Sequence, residues 1–263
     1  MRDPLKSQRW MSSTPSLISV FCFVLLACGR ADEPEGRERE LGYLRVLMGD
    51  ELLPYAHLEV TAAENVAILG TGAEKYLGLH LFPGQKKRNG GVRAEVSVDF
   101  PHQQGDTLRY AWRFMVPEGA SMDGPKNRWW IFGQWHDQPD RNKGESWEGF
   151  ESRSPPVLLG LGEIKGQPAF GFEYGPKQEI KNGPFPIVPG QWHQVMVIIH
   201  WSQKADGKAT LFYDDLSKPL VTAEGANMHN DFAHYLKLGM YRHPEIQSDN
   251  WIYLDDLTIT MER

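Results

Sequence analysis

The stretch YLKLGMYRH, residues 235–243, decides the fold because its two faces differ when it is read as a β-strand. Side chains of a strand alternate between opposite sides of a sheet. One side carries the apolar residues Leu236, Leu238 and Met240, which are typical of a side that faces a core. The other side carries Tyr235, Lys237, Gly239 and Tyr241. We therefore predict a strand whose second face is the floor of a polar groove, kept open by Gly239.

The same alternation recurs along the chain. In RAEVSVDF (93–100), the residues Ala94, Val96 and Val98 face one way, and the charged or polar residues between them face the other. In WWIFGQWH (129–136), a regular strand places four residues on one face: Trp130, Phe132, Gln134 and His136. Further strands are predicted at RYAWRFMV (109–116), VMVIIHW (195–201), ATLFYDD (209–215) and WIYLDDLTITM (251–261).

Many short strands without long helical periodicity indicate an all-β domain. The chain has 263 residues, of which 41% are hydrophobic, enough for one sizeable core. Because half-buried strands must cover their apolar faces, we expect two packed antiparallel sheets. The fold class predicted is a two-sheet antiparallel jelly-roll (concanavalin-like) sandwich spanning residues 43–263.

The first 28 residues read as an export signal. Basic residues precede LISVFCFVLLA (17–27), an apolar run too short to span a bilayer. The run ends in LLAC, which resembles the lipobox of bacterial lipoproteins, so we expect Cys28 to be lipidated. The alternative is ordinary signal cleavage, and translation could start at Met1 or at Met11. The expected location is the bacterial cell envelope, periplasmic or at the cell surface, or else secretion.

Residues 29–42 are charged and nearly free of apolar side chains. Pro34 and Gly36 argue against a helix, so we predict a solvated tether. The two cysteines, Cys22 and Cys28, lie in or at the edge of the signal, which leaves no internal disulfide for the mature domain.

Charge excludes some functions. A net charge of −6 argues against nucleic-acid binding, and an acidic polymer would need a local basic surface. The chain has no His-Glu-x-x-His sequence, Gly-rich phosphate loop or Gly-x-Ser-x-Gly elbow. Seven residues are candidates for a basic surround of the groove: Lys86, Lys87, Arg88, Arg109, Arg113, Lys126 and Arg128.

Three polar motifs occur in a fixed order along the chain: RAE (93–95), QWH (134–136) and YLKLGMY (235–241). This ordered triple resembles the motifs of jelly-roll alginate lyases. The segments YAWRFMVP, GQWHQVMVIIHWS, GMYR and YLDDLTI are more similar to glucuronan lyases and heparin-lyase-like proteins. Arg242 and His243 stand where the alginate-lyase motif commonly has Asn-Gln, which argues against alginate itself.

The resemblance implies a polysaccharide lyase that cleaves a uronate polymer by β-elimination. Gln134 and Arg93 would neutralise the substrate carboxylate, because hydrogen-bond donors stabilise the charge that develops when the C5 proton leaves. His136 and Tyr241 would supply proton transfer. Either Tyr241 is both base and acid, or His136 is the base and Tyr241 the acid, depending on the stereochemistry of the sugar. Four residues are expected to bind substrate: Lys237, Arg242, Arg113 and Glu95.

Two rival functions remain at this point. A glycoside hydrolase needs two carboxylates across the scissile bond, and the adjacent pairs Asp214-Asp215 and Asp255-Asp256 face opposite ways on a strand. A non-catalytic, lectin-like sandwich would keep the groove without needing Gln134, His136 and Tyr241 together. We expect a monomer that acts on an acidic polysaccharide, contacts membrane only through Cys28 and requires no cofactor. Structural calcium held by loop carboxylates is compatible with the resemblance.

Overall fold

Two antiparallel sheets of seven strands form the domain in a computed structural model, which describes residues 32–120 and 129–262. Strands are numbered in chain order. The first sheet runs β1 (Ala56–Glu59), β4 (Val92–Val98), β13 (Tyr235–Arg242), β6 (Trp130–His136), β7 (Val157–Ile164), β8 (Gln167–Tyr174) and β9 (Ile180–Pro186). The second sheet runs β12 (Val221–Glu224), β11 (Lys208–Tyr213), β10 (His193–His200), β5 (Thr107–Met115), β14 (Asn250–Glu262), β3 (Tyr76–Leu81) and β2 (Val66–Leu69). The predicted all-β sandwich is confirmed.

The core lies between the two sheets, where their apolar faces meet. Leu236 and Leu238 of β13 face it, together with Trp112 and Phe114 of β5, and all four side chains are buried. Removing this apolar surface from water is the main force that holds the sheets together. The apolar run at 195–201 lies in β10, which is an inner strand of the second sheet as expected.

An α-helix, α1 (Asp32–Leu47), occupies most of the predicted tether. Leu44 and Leu47 are fully buried in the core, and Arg37 donates to the carbonyl groups of Leu53 and Ala56 at 3.2 and 3.1 Å. The prediction of a solvated tether is therefore wrong from Asp32 onward. A proline is tolerated in the first turn of a helix, because the amide groups there lack intrahelical partners anyway.

In the described part of the chain, the remaining helical elements are three short 3₁₀ helices: Leu53–Tyr55, Ala63–Asn65 and Arg141–Lys143. Within the described ranges, no helix has the length and apolar character needed to cross a membrane. The predicted signal, Cys28, Lys126 and Arg128 lie outside the described residues.

The central strands of the first sheet are not in regular register. The pairing of β13 with β6 shifts between Leu238 and Tyr241, and the pairing of β6 with β7 shifts between Ile131 and Gly133. Such β-bulges change which side of the sheet a residue faces. Phe132 consequently turns into the core, where its ring centroid lies 4.9 Å from that of Phe114. The prediction that Phe132 shares the face of Gln134 is therefore wrong.

Gly239 lies at the same irregularity, with a φ of 138° that side chains rarely adopt. A Cβ placed there would approach Leu79 of the second sheet to 2.7 Å and the Cα of Glu95 to 2.9 Å. The glycine is thus required by the backbone and by close packing. Between Lys237 and Tyr241 no side chain of β13 lines the groove, as predicted. The predicted reason was wrong, because Gly239 is required by close packing and not by the need for an open groove.

Candidate active site

A groove of about 1340 Å³ lies on the outer face of the first sheet, and each of the seven strands contributes to its lining. The loop 137–155 between β6 and β7 forms one wall. This loop is fixed to the domain: Gln138 donates to Asp99 at 2.7 Å, and Lys143 pairs with Asp231 at 2.6 Å. The groove is therefore a built feature of the sheet and its connecting loop.

The three polar motifs meet on neighbouring strands at the centre of this groove. Strand β13 lies between β4 and β6, so the motif at 235–241 is flanked by the other two. In the register, Tyr241 is opposite Arg93, and Lys237 is opposite Gln134. His136 is opposite Tyr235. The structure thus brings the four predicted catalytic residues to one surface.

Polar contacts link two of these residues, Gln134 and Arg93, through Glu95. Gln134 Nε2 donates to Glu95 Oε1 at 2.6 Å, and Arg93 Nη1 lies 3.1 Å from Glu95 Oε2. Since β4 and β6 lie on either side of β13, the Gln134–Glu95 hydrogen bond passes over β13. Glu95 was predicted to bind substrate, but it is buried and is not among the residues that line the groove. Its contacts instead position Gln134 and Arg93.

The Tyr241 ring is held from three sides. The Arg93 guanidinium stands 4.1 Å from its centroid, a cation–π distance. Trp129 packs edge-on against it, with 4.4 Å between ring centroids. A Cβ on Gly91 would overlap the ring, so this glycine provides the space that the tyrosine occupies. The phenol is fixed at the groove surface beside a positive charge.

His136 is oriented by Asp137. Its Nδ1 is in hydrogen-bond contact with the main-chain carbonyl of Asp137 at 2.9 Å and lies equally far from Oδ1 of the buried side chain, while Arg153 Nε lies 3.0 Å from Oδ2. Burial acts to raise the pKa of Asp137, but the contact with His136 and the charge of Arg153 outweigh it, and the pKa is lowered. Because Nδ1 faces Asp137, proton exchange between His136 and a ligand would use Nε2.

Lys237 lines the groove, but its charge is already engaged. Its side chain is only 6% exposed, and Nζ lies 2.7 Å from Glu59 Oε1. Burial acts to raise the pKa of Glu59, whereas the nearby His57 and the charges of Lys237 and Arg93 hold it well below its ordinary value. Glu59 therefore stays ionised beside both cations.

Two residues expected to bind substrate lie elsewhere. Arg113 belongs to β5 of the second sheet, where it pairs with Asp255 and with Asp256 (2.8 Å). Arg242 is buried and donates to the carbonyl of Ser248 at 2.6 Å and to Asn250 Oδ1 at 2.7 Å. The prediction of substrate binding is wrong for both, because one lies on the opposite sheet and the other ties strand ends together.

The predicted basic surround is also only partly present. Arg109 pairs with Glu262 at 2.6 Å on the second sheet, and does not line the groove. Lys86, Lys87 and Arg88 are exposed on the loop before β4, next in the chain to Asn89, which does line it. The cations that line the groove come instead from Arg93, Arg141, Arg153, Lys181 and Lys237.

Several residues of the groove were not predicted from the sequence. Glu59 and His57 lie on the short strand β1, whose four residues show too little alternation to reveal a face. Asp137 follows the QWH motif directly, and this adjacency could have suggested a partner for His136. Over the described ranges, no cluster of three or more His, Cys, Asp or Glu side chains could hold a metal ion, so calcium remains a prediction without a site.

Comparison with known proteins gives a family and a fold. A sequence model of a family described as polysaccharide lyase matches residues 59–258. A search of curated proteins found no significant match.

Three solved structures illustrate the shared fold. An endo-β-1,4-glucuronan lyase from the fungus Trichoderma reesei has a TM-score of 0.52 at 16% identity, covering 74% of this chain and 85% of its own. The alginate lyase AlyC3 gives 0.55 at 12%, covering 80% and 91%. The alginate lyase vAL-1 from Chlorella virus gives 0.53 at 9%, covering 83% and 97%. At these identities the likeness concerns the fold.

Proposed function

The chain belongs to the polysaccharide lyase family, and from this premise we propose that it cleaves a uronate-containing polysaccharide by β-elimination in the groove of the first sheet. The substrate class that we propose is a glucuronan-like chain, ahead of heparin-type glycosaminoglycans and alginate. One fragment gains a new reducing end. The other fragment gains an unsaturated uronate, with a C4–C5 double bond, at its non-reducing end.

One observation carries this proposal. Gln134, Glu95 and Arg93 are linked by polar contacts across three strands and end at the ring of Tyr241. The arrangement offers fixed donors beside a phenol in an open groove. A binding module could hold sugars with hydroxyl and aromatic contacts alone, and would have no use for a buried carboxylate that orients an amide and a guanidinium.

The donors address the main difficulty of the reaction. The C5 hydrogen of a uronate is weakly acidic while the neighbouring carboxylate carries a full negative charge. Gln134 and Arg93 donate to that carboxylate and stabilise the charge that develops as the proton leaves. Removing one such preorganised donor typically costs ~10²–10³ in rate.

Proton transfer follows from the geometry of the sugar. In D-glucuronate the C5 hydrogen and the C4 oxygen lie on the same face of the ring, so one group can serve both. Tyr241, reacting as its phenolate, takes the proton from C5 and delivers it to O4 as the C4–O4 bond breaks and the C4–C5 double bond forms, which regenerates the phenolate. With this substrate, His136, oriented by Asp137, helps to bind the reacting sugar. In uronates with the opposite C5 configuration, His136 is the base and Tyr241 is the acid.

Resemblance supports the substrate class. The segments around the three motifs resemble those of glucuronan lyases. Lys and Arg side chains line the groove, but carboxylates line it in equal number, and Arg153 and Lys181 are paired with Asp137 and Glu173. The proposed substrate class therefore rests on the resemblance and not on a net positive groove.

We also propose that the protein is exported, is anchored through a lipid on Cys28, and acts as a monomer. Labelling with a radioactive fatty acid tests the anchor, because incorporation should be lost in Cys28→Ser. Light scattering of the purified protein tests the oligomeric state.

The decisive experiment offers the protein a panel of polymers: glucuronan, polymannuronate, polyguluronate and a heparin-type chain. The ultraviolet absorbance of the new C4–C5 double bond reports cleavage. We expect glucuronan to be cleaved, Tyr241→Phe to lose ~10²–10⁴ of the rate, and His136→Ala to retain more activity than Tyr241→Phe. Tyr253→Phe, on the second sheet, is the matched control.

Other outcomes would exclude this function. Binding without unsaturated product, unchanged in both groove variants, would indicate a carbohydrate-binding sandwich. New reducing ends without the double bond would indicate hydrolysis. An equal and complete loss in both variants on glucuronan would show that one group does not serve as both base and acid.

A further inference from the structure

Glu59 occupies a site that is built to hold a carboxylate. It ends β1, the edge strand of the first sheet, and is only 3% exposed. Lys237 Nζ lies 2.7 Å from Oε1, Asn89 Nδ2 donates to Oε2 at 3.2 Å, and Arg93 Nη1 lies 3.4 Å from Oε2. His57 Nε2 lies 3.8 Å from Oε1. Three donors from two strands and a loop thus hold a single carboxylate of the protein itself, with His57 just beyond hydrogen-bond distance.

The charges at the centre of the groove balance because of Glu59. Arg93 and Lys237 are two buried cations, and Glu59 and Glu95 are the two buried carboxylates beside them. Glu95 already accepts from Arg93 and Gln134. Among the described residues, Glu59 is the one carboxylate within ion-pair distance of Lys237.

Loss of Glu59 would therefore disturb residues that it does not touch. A buried lysine without a counter-ion either gives up its proton or moves toward another carboxylate. Lys237 lies beside Gly239 in β13, and Glu95 is opposite Gly239, so Glu95 is the nearest alternative along the register. If Lys237 turned to Glu95, it would compete with Gln134 and Arg93 for the carboxylate that orients them.

We propose that Glu59 is a positioning residue of the lyase reaction, which fixes Lys237 and Arg93 and so keeps Glu95 available to orient Gln134. The proposal rests on the function given above. Its consequence is that Lys237 serves as a fixed part of the groove floor and does not receive a substrate carboxylate. Glu59 does not touch the reacting sugar, and acts only through the side chains that do.

The test compares Glu59→Gln, Glu59→Asp and Glu59→Ala with the wild-type chain, using Glu224→Gln as the control. Glu224 is an exposed carboxylate that pairs with Lys208 at 2.9 Å on the second sheet. Displacement of an oriented group typically costs ~10–100-fold in rate. We expect Glu59→Gln to lower kcat by that amount with little change in KM, because binding groups remain while their alignment is lost.

Two further readouts separate positioning from a purely structural role. Added formate or acetate should restore part of the kcat of Glu59→Ala, since Lys237, Asn89 and Arg93 remain to bind a small carboxylate, and should not restore Tyr241→Phe. Lys237 should become more reactive toward an amine-specific reagent in Glu59→Gln. The folded full-length chain is labelled and then digested, and mass spectrometry measures the modification of Lys237.

The outcomes are distinguishable. Wild-type kcat in Glu59→Gln, or a rise in KM alone, would overturn the inference while leaving the proposed function in place. If the wild-type chain cleaves no uronate polymer, the proposed function fails, and unchanged Lys237 reactivity would then also refute the role of Glu59 as its counter-ion. Where Glu59→Ala fails to fold, the Gln and Asp variants carry the test.

Discussion

Replacing Gly91 with alanine should displace Tyr241 and slow the reaction with little effect on folding. The new Cβ would lie 2.9 Å from Cζ of the Tyr241 ring and nearer still to another ring atom. Carbon atoms pack at about 3.5–4.0 Å, so the ring must move by roughly 1 Å. A displacement of ~1 Å at a reacting group can cost ~10² in rate. We therefore expect kcat to fall by about 10²-fold in Gly91→Ala.

The assay is the initial rate of double-bond formation, with thermal unfolding measured on the same preparations. Overpacking typically costs ~1–3 kcal/mol, and each kcal/mol lowers the Tm of a domain of this size by only ~2–4 °C, so the variant should be folded at the assay temperature. Gly42→Ala is the control, because no atom lies within 4 Å of a Cβ there.

A double variant tests the route of the effect. If Gly91 acts through Tyr241, then Gly91→Ala combined with Tyr241→Phe should be no slower than Tyr241→Phe alone, since coupled residues do not give additive losses. A wild-type rate in Gly91→Ala, or fully additive losses in the double variant, would refute the idea that the held Tyr241 ring performs the proton transfer.

Three further predictions concern stability. Arg242→Met should lower the unfolding free energy by about 3 kcal/mol or more, measured by denaturant titration, because hydrogen bonds from a charged group contribute ~1.5–3 kcal/mol each; a raised KM with unchanged stability would contradict this. Leu44→Ala should cost ~2–5 kcal/mol by the same measurement, whereas a residue in a free tether would give no change. Burial lowers the pKa of His234 from 6.5 to about 3, so its neutral form stabilises the fold above pH 6.5 and that contribution is lost as the pH falls toward 3. Between these two pH values, His234 should add up to ~1.4 kcal/mol per pH unit to the slope of the unfolding free energy against pH, so this slope should be smaller in His234→Gln. An unchanged slope in that variant would refute the assignment.

Alternation along single strands was enough to predict the sandwich. The segments 93–100, 109–116 and 235–243 each match a strand to within two residues, because one buried face leaves a period-2 pattern. The same rule failed at Phe132, where a bulge reverses the side that a residue faces. A bulge arises from how two strands pair, and the sequence of one strand does not contain that information.

The site was predicted as far as its residues lie in long strands. Gln134, His136, Arg93 and Tyr241 share the groove because each belongs to the polar face of a strand at the centre of the first sheet. Arg113 was placed there wrongly, since composition cannot tell which sheet a strand joins.

The helix α1 was missed for a different reason. Its apolar residues fall near its C-terminal end, so the charged remainder resembles a solvated segment. Contacts such as Arg37 with the carbonyl groups of Leu53 and Ala56 exist only in the folded domain, and they stabilise a helix that has weak intrinsic propensity.

The place of β13 between β4 and β6 also sets an order of assembly. β4 and β6 are synthesised well before β13, their shared neighbour in the sheet. Until it arrives, each of them presents an unpaired edge, which is a template for aggregation, and long-range pairing of this kind is slow. A truncated product that ends before residue 235 lacks Lys237 and Tyr241, so it cannot form the complete active centre. Catalytic competence should appear in one step, when β13 pairs between β4 and β6.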